Sequence, residues 1–271
     1  MTAFFYHFMY DFRTGLRDKS LLLLNYLFPI GVYVILGLLL TGLNPTFAAT
    51  MIPAMILVTI MSCTLLGLPN PIVDSRESGI FRSFKINGVP ALSIVTIPVL
   101  SSFVHIFLVS IVITFTAGPF FNAGIPVNWG YFVLILILSA FTFASLGLLI
   151  GVVSPNSRAV PLFSQSIFLP SMLLGGLMIP SSMLPPALYR ISFLLPTSYA
   201  MNAWQGLAFG MTPAIDPGWS VVILFISGVI AFAASIYLFT WDSKNKQKGR
   251  NPLLGLLALL PFVFGAIFLA G

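Results

Sequence analysis

The sequence predicts an all-α polytopic membrane protein, and three observations carry this prediction: composition, the lengths of charge-free stretches, and the sidedness of the cations. Of the 271 residues, 58% are hydrophobic and 7% are charged, whereas soluble domains have about 25% charged residues. A water-soluble fold is therefore excluded.

The charged residues are clustered, and the stretches between them are long enough to cross a bilayer as helices, which takes about 20 residues. Lys, Arg, Asp and Glu are absent from residues 20–73, 86–157, 159–189, 191–215, 217–241 and 251–271. A transmembrane β-barrel would alternate apolar and polar residues over segments of about ten. Leu36–Leu40 and Leu134–Leu138 are instead continuous apolar runs, so the spans are predicted to be helices.

Gly and Pro residues divide these stretches into six spans. The second span is predicted to stop at Pro69-Asn70-Pro71, and the third to stop before a segment with Gly118 and Pro119, which is predicted not to continue a helix in lipid. The six spans are predicted near residues 21–42, 47–68, 92–116, 129–153, 161–179 and 219–239.

The distribution of Lys and Arg predicts the orientation. If the N-terminus is cytoplasmic, eleven of the twelve Lys and Arg residues fall on the cytoplasmic side and Arg190 alone falls outside, as the positive-inside rule requires. These cations lie beside membrane, where their ordinary roles are topology and contact with anionic lipid headgroups. The net charge of +6 is therefore not interpreted as nucleic-acid binding.

Residues 3–19 are predicted to form an interfacial amphipathic helix. Apolar side chains recur at helical spacing at Phe5, Phe8, Phe12 and Leu16, and polar ones occupy the other side at His7, Asp11, Thr14 and Asp18. The alternative is a cleavable signal peptide. It is disfavoured because Asp11 interrupts the apolar run and no basic region precedes it.

The region 180–210 is too apolar for an ordinary exposed loop. Pro185 and Pro186 are placed to begin a short helix that Pro196 must end, and Ser198–Phe209 forms a second short piece. Two short helices between an outward and an inward span predict a re-entrant hairpin from the outer face. The alternative is a segment lying flat on the outer leaflet; in either case Arg190 lies near the outer interface.

After a basic cytoplasmic linker at residues 242–250, the chain ends in the hydrophobic segment 252–271. Its roughly 20 residues reach about 30 Å as a helix, which favours a seventh span with an external C-terminus. An interfacial hairpin is the alternative, because Gly255, Pro261 and Gly265 weaken the helix.

Catalytic and ligand motifs are missing from the sequence. There is no phosphate-binding G-x-x-x-x-G-K-[ST] loop, and His7 and His105 lack metal-ligand partners at suitable spacing. No acidic residue falls within a predicted span, which disfavours transport driven by protons or sodium. We expect no catalytic residues, no metal site and no cofactor site in this chain.

Residues 70–90, between the second and third spans, hold five of the eighteen charges and are predicted to face the cytoplasm. Ile80, Phe81 and Phe84 fall along one side of a short amphipathic helix, which favours a docking element for a partner protein. An ordinary solvated loop is the alternative, but it would not account for aromatic side chains interleaved with both signs of charge.

The chain resembles the permease subunits of type-2 ABC exporters, which export drugs, polysaccharides and lipids. The resemblance rests on the N-terminal amphipathic helix, Arg76-Glu77-Ser78-Gly79 ending in Pro90, the re-entrant hairpin, and the stretches Leu174–Pro180 and Leu195–Tyr199. In that family the Arg-Glu-x-Gly loop precedes a coupling helix that seats in a groove of a cytosolic ATPase. Two departures are Gly79-Ile80-Phe81-Arg82, where many members have Gly-Thr-Leu-Glu, and the additional segment 252–271.

The resemblance implies that residues 1–241 form an ABC-2 type transmembrane domain. It implies an exporter of a hydrophobic or amphipathic drug, lipid or glycoconjugate, with two copies of an ATPase that bind ATP and Mg²⁺, a second permease copy or paralogue, and membrane lipids as partners. The implied ATPase-coupling residues are Asp74, Arg76, Glu77, Gly79, Phe81, Arg82, Phe84 and Lys85, and those of the re-entrant region are Pro185, Pro186, Arg190, Pro196 and Tyr199.

Two other classes of function stay open at this point. A channel or passive membrane scaffold would need no ATPase. An intramembrane serine protease would pair His105 with a serine such as Ser145 or Ser166, but no G-x-S-x-G motif accompanies them.

Overall fold

The computed structural model describes residues 2–43, 45–242 and 251–269, and within these ranges the regular structure is helical, with no strand. The predicted linker 242–250 lies outside the described residues, apart from Asp242. The α-helices are α1 Thr2–Arg17, α2 Lys19–Leu22, α3 Phe28–Leu43, α4 Pro45–Met61, α5 Pro69–Glu77, α6 Ile80–Ile86, α7 Ala91–Phe121, α8 Trp129–Val153, α9 Val160–Leu174, α10 Pro186–Ser192, α11 Pro196–Ala203, α12 Pro217–Leu238 and α13 Leu260–Phe268. Leu23–Leu27, Ser62–Gly67 and Trp204–Ala208 are π-helical, and Ser181–Met183 and Pro252–Leu259 are 3₁₀-helical.

Five helices among the described residues are long and apolar enough to cross a membrane, which makes the chain a multi-pass membrane protein. They are Lys19–Gly42, Phe47–Glu77, Ala91–Phe121, Trp129–Val153 and Pro217–Leu238. The fifth predicted span, 161–179, contains the 15-residue helix α9 and then irregular chain from Gly175 onward. The segment Pro252–Phe268 is likewise helical, apolar and shorter than the five.

Two predicted helix ends were wrong. The second span does not end at Pro69-Asn70-Pro71, because Pro69 begins α5 after a single bend at Leu68. Prolines in a first turn cost little, since those N–H groups lack intrahelical partners anyway. The third span likewise runs through Pro119 and ends at Phe121, where Asn122 takes a positive φ of 52°.

The middle of the bundle is formed by α4 and α8, whose side chains are mostly buried. On α8, Gly147 faces the carbonyl oxygen of Thr64 so closely that a Cβ would overlap it, and a Cβ at Gly151 would lie 3.1 Å from the carbonyl oxygen of Pro69. Small residues four apart allow two helix backbones to approach closely in a membrane. This pair therefore sets the contact between α8 and the second span.

The two ends of α8 define two ends of the molecule. Near its first residue, the Phe132 carbonyl accepts a hydrogen bond from Trp204 Nε1 at 3.2 Å. At its last turn, the Val152 carbonyl accepts one from Arg76 Nη1 at 2.8 Å. Because 25 helical residues extend about 37 Å, these contacts lie at opposite ends, which we call the α10 end and the α6 end.

At the α10 end, α11 runs antiparallel to the first turns of α12. Asn202 Nδ2 donates to Ser220 Oγ at 3.0 Å, and a Cβ at Gly206 would touch Pro217 at 3.0 Å. Further along, the hydroxyl of Tyr199 and the side chain of Ile223 both lie against Gly265. The Pro196 end of α11 therefore lies set back along α12, further from the α10 end than Gly206 is.

The C-terminal segment packs along α12 in the opposite direction. A Cβ at Gly255 would touch Leu149 near the last turn of α8, at 3.4 Å. Ser227 Oγ donates to the Ala258 carbonyl at 2.7 Å, and Tyr199 Oη donates to the Phe262 carbonyl at 3.2 Å. Pro252–Phe268 therefore runs from the α6 end towards the α10 end.

Candidate functional site

Residues 74–90, which we call the coupling segment, join the second and third spans at the α6 end. They comprise the last residues of α5, the helix α6 and a turn that leads into α7. Gly79 separates the two helices with a φ of 80°, and Gly88 follows α6 with a φ of 73°. Side chains disfavour these left-handed values, so both breaks depend on glycine.

Arg76 ties the coupling segment to the end of α8. Its side chain is 6% exposed, and its guanidinium donates to the carbonyl oxygens of Val152, at 2.8 Å, and Ser154. The last carbonyls of a helix lack intrahelical partners, and a cation at that end is favoured by the helix dipole. Arg76 thus serves as a cap for α8.

The connection between α8 and α9 makes a second contact with the same part of the segment. Ser157 Oγ lies 2.5 Å from Asp74 Oδ1 and 2.9 Å from Glu77 Oε2, and it is the donor to these carboxylates. Together with Arg76, this hydroxyl joins the end of α5 to the chain that leads from α8 into α9.

On α6, the aromatic side chains turn towards the protein. Phe81 is buried, with its ring centroid 5.3 Å from that of Phe239, and Phe84 lies 5.4 Å from the His7 ring of α1. Arg82 forms an ion pair with Asp242 beyond the end of α12. These contacts hold one face of α6 against α1 and the end of α12.

The remaining surface of α6 is open, and we call it the open face. Ile86 is 80% exposed, and Ser83 and Lys85 are also exposed. Of the eight predicted coupling residues, Arg76 and Phe81 are therefore buried, Gly79 is a hinge, and Lys85 is on the open face.

Three functional groups at this end were missed by sequence reasoning: Ser157 and the carbonyls of Val152 and Ser154. The sequence feature that could have indicated them is the polar turn Ser154-Pro155-Asn156-Ser157. It directly follows a span predicted to end on the same side as the coupling segment. No pattern indicated that its partners would be Asp74, Arg76 and Glu77.

The N-terminal helix α1 packs against α7 beside the coupling segment. The ring of Phe12 stacks on that of His105 with centroids 4.9 Å apart, and Asp11 is hydrogen-bonded to Ser101. Burial raises the pKa of the Asp11 carboxyl above its ordinary value of 3.8, and the Ser101 hydrogen bond and His7 oppose that rise.

The structure places the predicted residues of the 180–210 region as follows. Pro185 precedes α10, Pro186 begins it, and Arg190 is exposed near its end. Pro196 begins α11, and Tyr199 is buried with its hydroxyl on the C-terminal segment.

The groups considered for proteolysis are not brought together. His105 Nδ1 lies 2.6 Å from Tyr26 Oη, and Ser166 Oγ donates to the Phe163 carbonyl. Ser145 Oγ has no hydrogen-bond partner among the described residues. Within the same ranges, no group of three or more His, Cys, Asp or Glu side chains is placed to hold a metal ion.

Comparison with known proteins identifies the family. The family model described as "ABC-2 type transporter" matches residues 2–209. The chain is also 23% identical over 229 residues to a Bacillus subtilis (strain 168) protein named "Putative transport permease YvfS", a match that covers 82% of this chain and 90% of the relative. No solved structure matches. Because the family model covers more than half of the chain, this protein belongs to the ABC-2 type transporter family, whose members are membrane transport permeases that associate with an ABC ATPase.

Proposed function

We propose that the chain is the transmembrane permease subunit of an ATP-binding cassette exporter. It moves a hydrophobic or amphipathic substrate, such as a drug, lipid or glycoconjugate, across the cytoplasmic membrane with ATP hydrolysed by a separate ATPase subunit. The observation that carries this proposal is the coupling segment, which is bonded to the bundle through Arg76 and open to a partner at Lys85 and Ile86.

The two faces of the segment suggest how force passes through it. The ATPase, which binds the ATP and Mg²⁺, contacts the open face of α6 and moves it. The Arg76 and Ser157 bonds then carry that displacement to the junction of α8 and α9. By reciprocal linkage, a substrate that changes the bundle alters ATP turnover in the partner.

In the proposed orientation the α6 end faces the cytoplasm. The contact of His7 with Phe84 places α1 beside the coupling segment. The cations Arg13, Arg17 and Lys19 therefore belong to the same end as Arg82 and Lys85, which is the arrangement that the positive-inside rule favours.

We propose seven crossings and an outer re-entrant hairpin. The 15 residues of α9 extend about 22 Å, and the irregular chain after Gly175 completes a sixth crossing. Eight 3₁₀-helical residues and nine α-helical residues give Pro252–Phe268 a length of about 30 Å, which matches a bilayer core. The path of Pro252–Phe268 antiparallel to α12 supports the seventh crossing. The position of Pro196, set back along α12 from the α10 end, supports the re-entrant hairpin.

A second permease copy, or a paralogue, is proposed to cover α3 and α9. The ring centroids of Phe28 and Phe168 lie 6.2 Å apart, so the two helices are neighbours. Their remaining faces expose large apolar side chains, which are Ile35, Leu38, Leu39, Leu162, Leu169 and Leu173. One permease copy would seat on each of two ATPase subunits.

Reconstitution tests this function. The chain is co-expressed with a candidate ABC ATPase from the same organism, placed in proteoliposomes, and assayed for movement of fluorescent lipid and cationic dye substrates. We expect movement that needs ATP and is abolished by a Walker A lysine substitution in the ATPase. Movement of equal rate without ATP would instead favour a channel.

Tags at the two termini test the topology. We expect an N-terminal tag to be protected in intact cells and a C-terminal tag to be labelled from outside. A C-terminal tag accessible only from the cytoplasm would contradict the seventh crossing.

A further inference from the structure

A cavity of about 830 Å³ lies between α1, the coupling segment and the first turns of α7. Its volume is in the range of small-molecule sites, about 300–1,000 Å³. The walls are largely apolar, with Leu21, Leu68, Ile72 and Phe84 among them. The space can therefore hold one hydrocarbon chain.

The polar lining of this cavity includes one carboxylate and one buried acceptor that has no donor in the described structure. Among the described lining residues, Asp11 is the one with a formal charge at pH 7. Asn25 also lines the cavity and is 6% exposed, and its Oδ1 has no hydrogen-bond partner in the described structure. A buried acceptor without a donor is costly, so it indicates a missing donor.

Several donors that line the cavity are already engaged elsewhere. Thr14 Oγ1 donates to the Tyr10 carbonyl at 2.9 Å, Ser102 Oγ donates to the Pro98 carbonyl at 2.9 Å, and Asn87 Nδ2 donates to the Ser83 carbonyl at 2.8 Å. Ser101, which also lines the cavity, is hydrogen-bonded to Asp11, but none of these three side chains donates to Asn25 Oδ1. The ligand that complements the cavity thus brings donors and positive charge of its own.

From this geometry we infer that the cavity binds a single-chain amphiphile with a protonated amine, whose ammonium group lies at Asp11 and whose chain lies against the apolar wall. An anionic amphiphile would meet the Asp11 carboxylate and is disfavoured by repulsion. A neutral one would leave the carboxylate without a counter-charge.

The walls of this cavity include α1 and α6, at the end of the bundle where the coupling segment lies. An occupant touches Ile80, Phe81 and Phe84 of the coupling segment. An effect of the ligand on ATP turnover rests on the proposed function, whereas binding itself needs no ATPase.

The test is equilibrium binding of radiolabelled dodecylamine to the full chain in phosphatidylcholine nanodiscs, with protein-free discs subtracted. We expect saturable binding at one site, and no saturable binding of dodecanol. Asp11→Asn should weaken binding about tenfold or more, because a neutral amide then replaces the carboxylate that pairs with the ammonium group. Asp11→Glu, which keeps the charge, should retain most of the affinity.

Asp18→Asn is the matched control. Asp18 caps α2 by accepting from Ser20 N at 2.8 Å and does not line the cavity. Asparagine caps as well as aspartate does, so dodecylamine binding should be unchanged. Size-exclusion profiles check that every variant is folded.

Equal binding of dodecylamine by Asp11→Asn and the parent chain would overturn the inference, and so would dodecanol binding as tight as that of dodecylamine. Neither result depends on an ATPase. Failure of this inference is therefore distinguishable from failure of the exporter proposal, which is judged by ATP-dependent movement in proteoliposomes.

Discussion

The two halves of the coupling segment differ in where their side chains point. The end of α5 turns inward, where Arg76 donates to the end of α8 and Asp74 accepts from Ser157 in the connection between α8 and α9. The open face of α6 turns outward, and Ile86 is 80% exposed there. One half is therefore bonded to the bundle, the other is the half proposed to contact the ATPase, and Gly79, with a φ of 80°, separates them.

The largest expected effect is at the inward half. Arg76→Met removes two buried hydrogen bonds and leaves the carbonyls of Val152 and Ser154 without partners. At about 1.5 kcal/mol for each bond to a charged group, unfolding should become easier by about 3 kcal/mol. Thermal unfolding in detergent measures this loss.

Arg82→Met is the matched control for that change. Arg82 is 59% exposed and its ion pair with Asp242 lies at the surface, where such pairs contribute about 0–1 kcal/mol. Equal destabilisation by the two substitutions would remove the distinction between the halves.

The outward half should show the opposite behaviour. Lys85→Glu combined with Ile86→Ser changes exposed side chains, so the unfolding temperature should stay within about 1 °C of the parent. Co-purification of the ATPase should fall at least about tenfold, because the apolar contact is lost and its charge is reversed. Undiminished ATPase recovery would show that α6 is not the contact.

Ser157→Ala should separate transmission from docking. It removes the donor to Asp74 and Glu77, and since these bonds are exposed, stability should fall by less than about 1 kcal/mol. The ATPase should still co-purify, while the stimulation of its ATP turnover by substrate should drop roughly twofold or more. Normal stimulation would mean that the α8–α9 junction does not receive the movement.

The smallest effect concerns α1, which supports α6 through His7 and Phe84. Burial raises the folded-state pKa of Asp11 above 3.8. The stabilisation from the protonated carboxyl is complete below pH 3.8 and is lost as the pH rises through the folded-state pKa. Asp11→Asn should therefore slightly raise the unfolding temperature at pH 7 and flatten its pH profile. An unfolding temperature at pH 7 below that of the parent would contradict this.

The sequence predicted the helices well because their signals are local. The charge-free stretches, the prolines at 185, 186 and 196, and the amphipathic pattern of residues 3–19 all correspond to helices or helix starts. Pro69 and Pro119 were misread because a proline's effect depends on whether it falls in a terminal turn, which the sequence does not specify.

The inward bonds of the coupling segment were not predictable for a different reason. Arg76 and Val152 are far apart in the chain, and their contact depends on the close approach of α8 at Gly147 and Gly151. In the sequence, Arg76 and Lys85 are two basic residues of the same charged segment, and no local pattern distinguishes them. Only the packing of α5 against α8 shows that Arg76 caps a helix whereas Lys85 lies at the surface.

Photocrosslinking from the open face of α6 tests most directly whether this face contacts the ATPase. A photoreactive amino acid at Ile86 is compared with one at Ile125, an isoleucine that is 67% exposed in the connection at the α10 end. We expect Ile86 to crosslink to the cytosolic ATPase, with a yield that changes when ATP is added, and Ile125 to give no such product. ATPase crosslinks of equal yield from both positions, or none from Ile86, would show that the open face of α6 is not the ATPase contact.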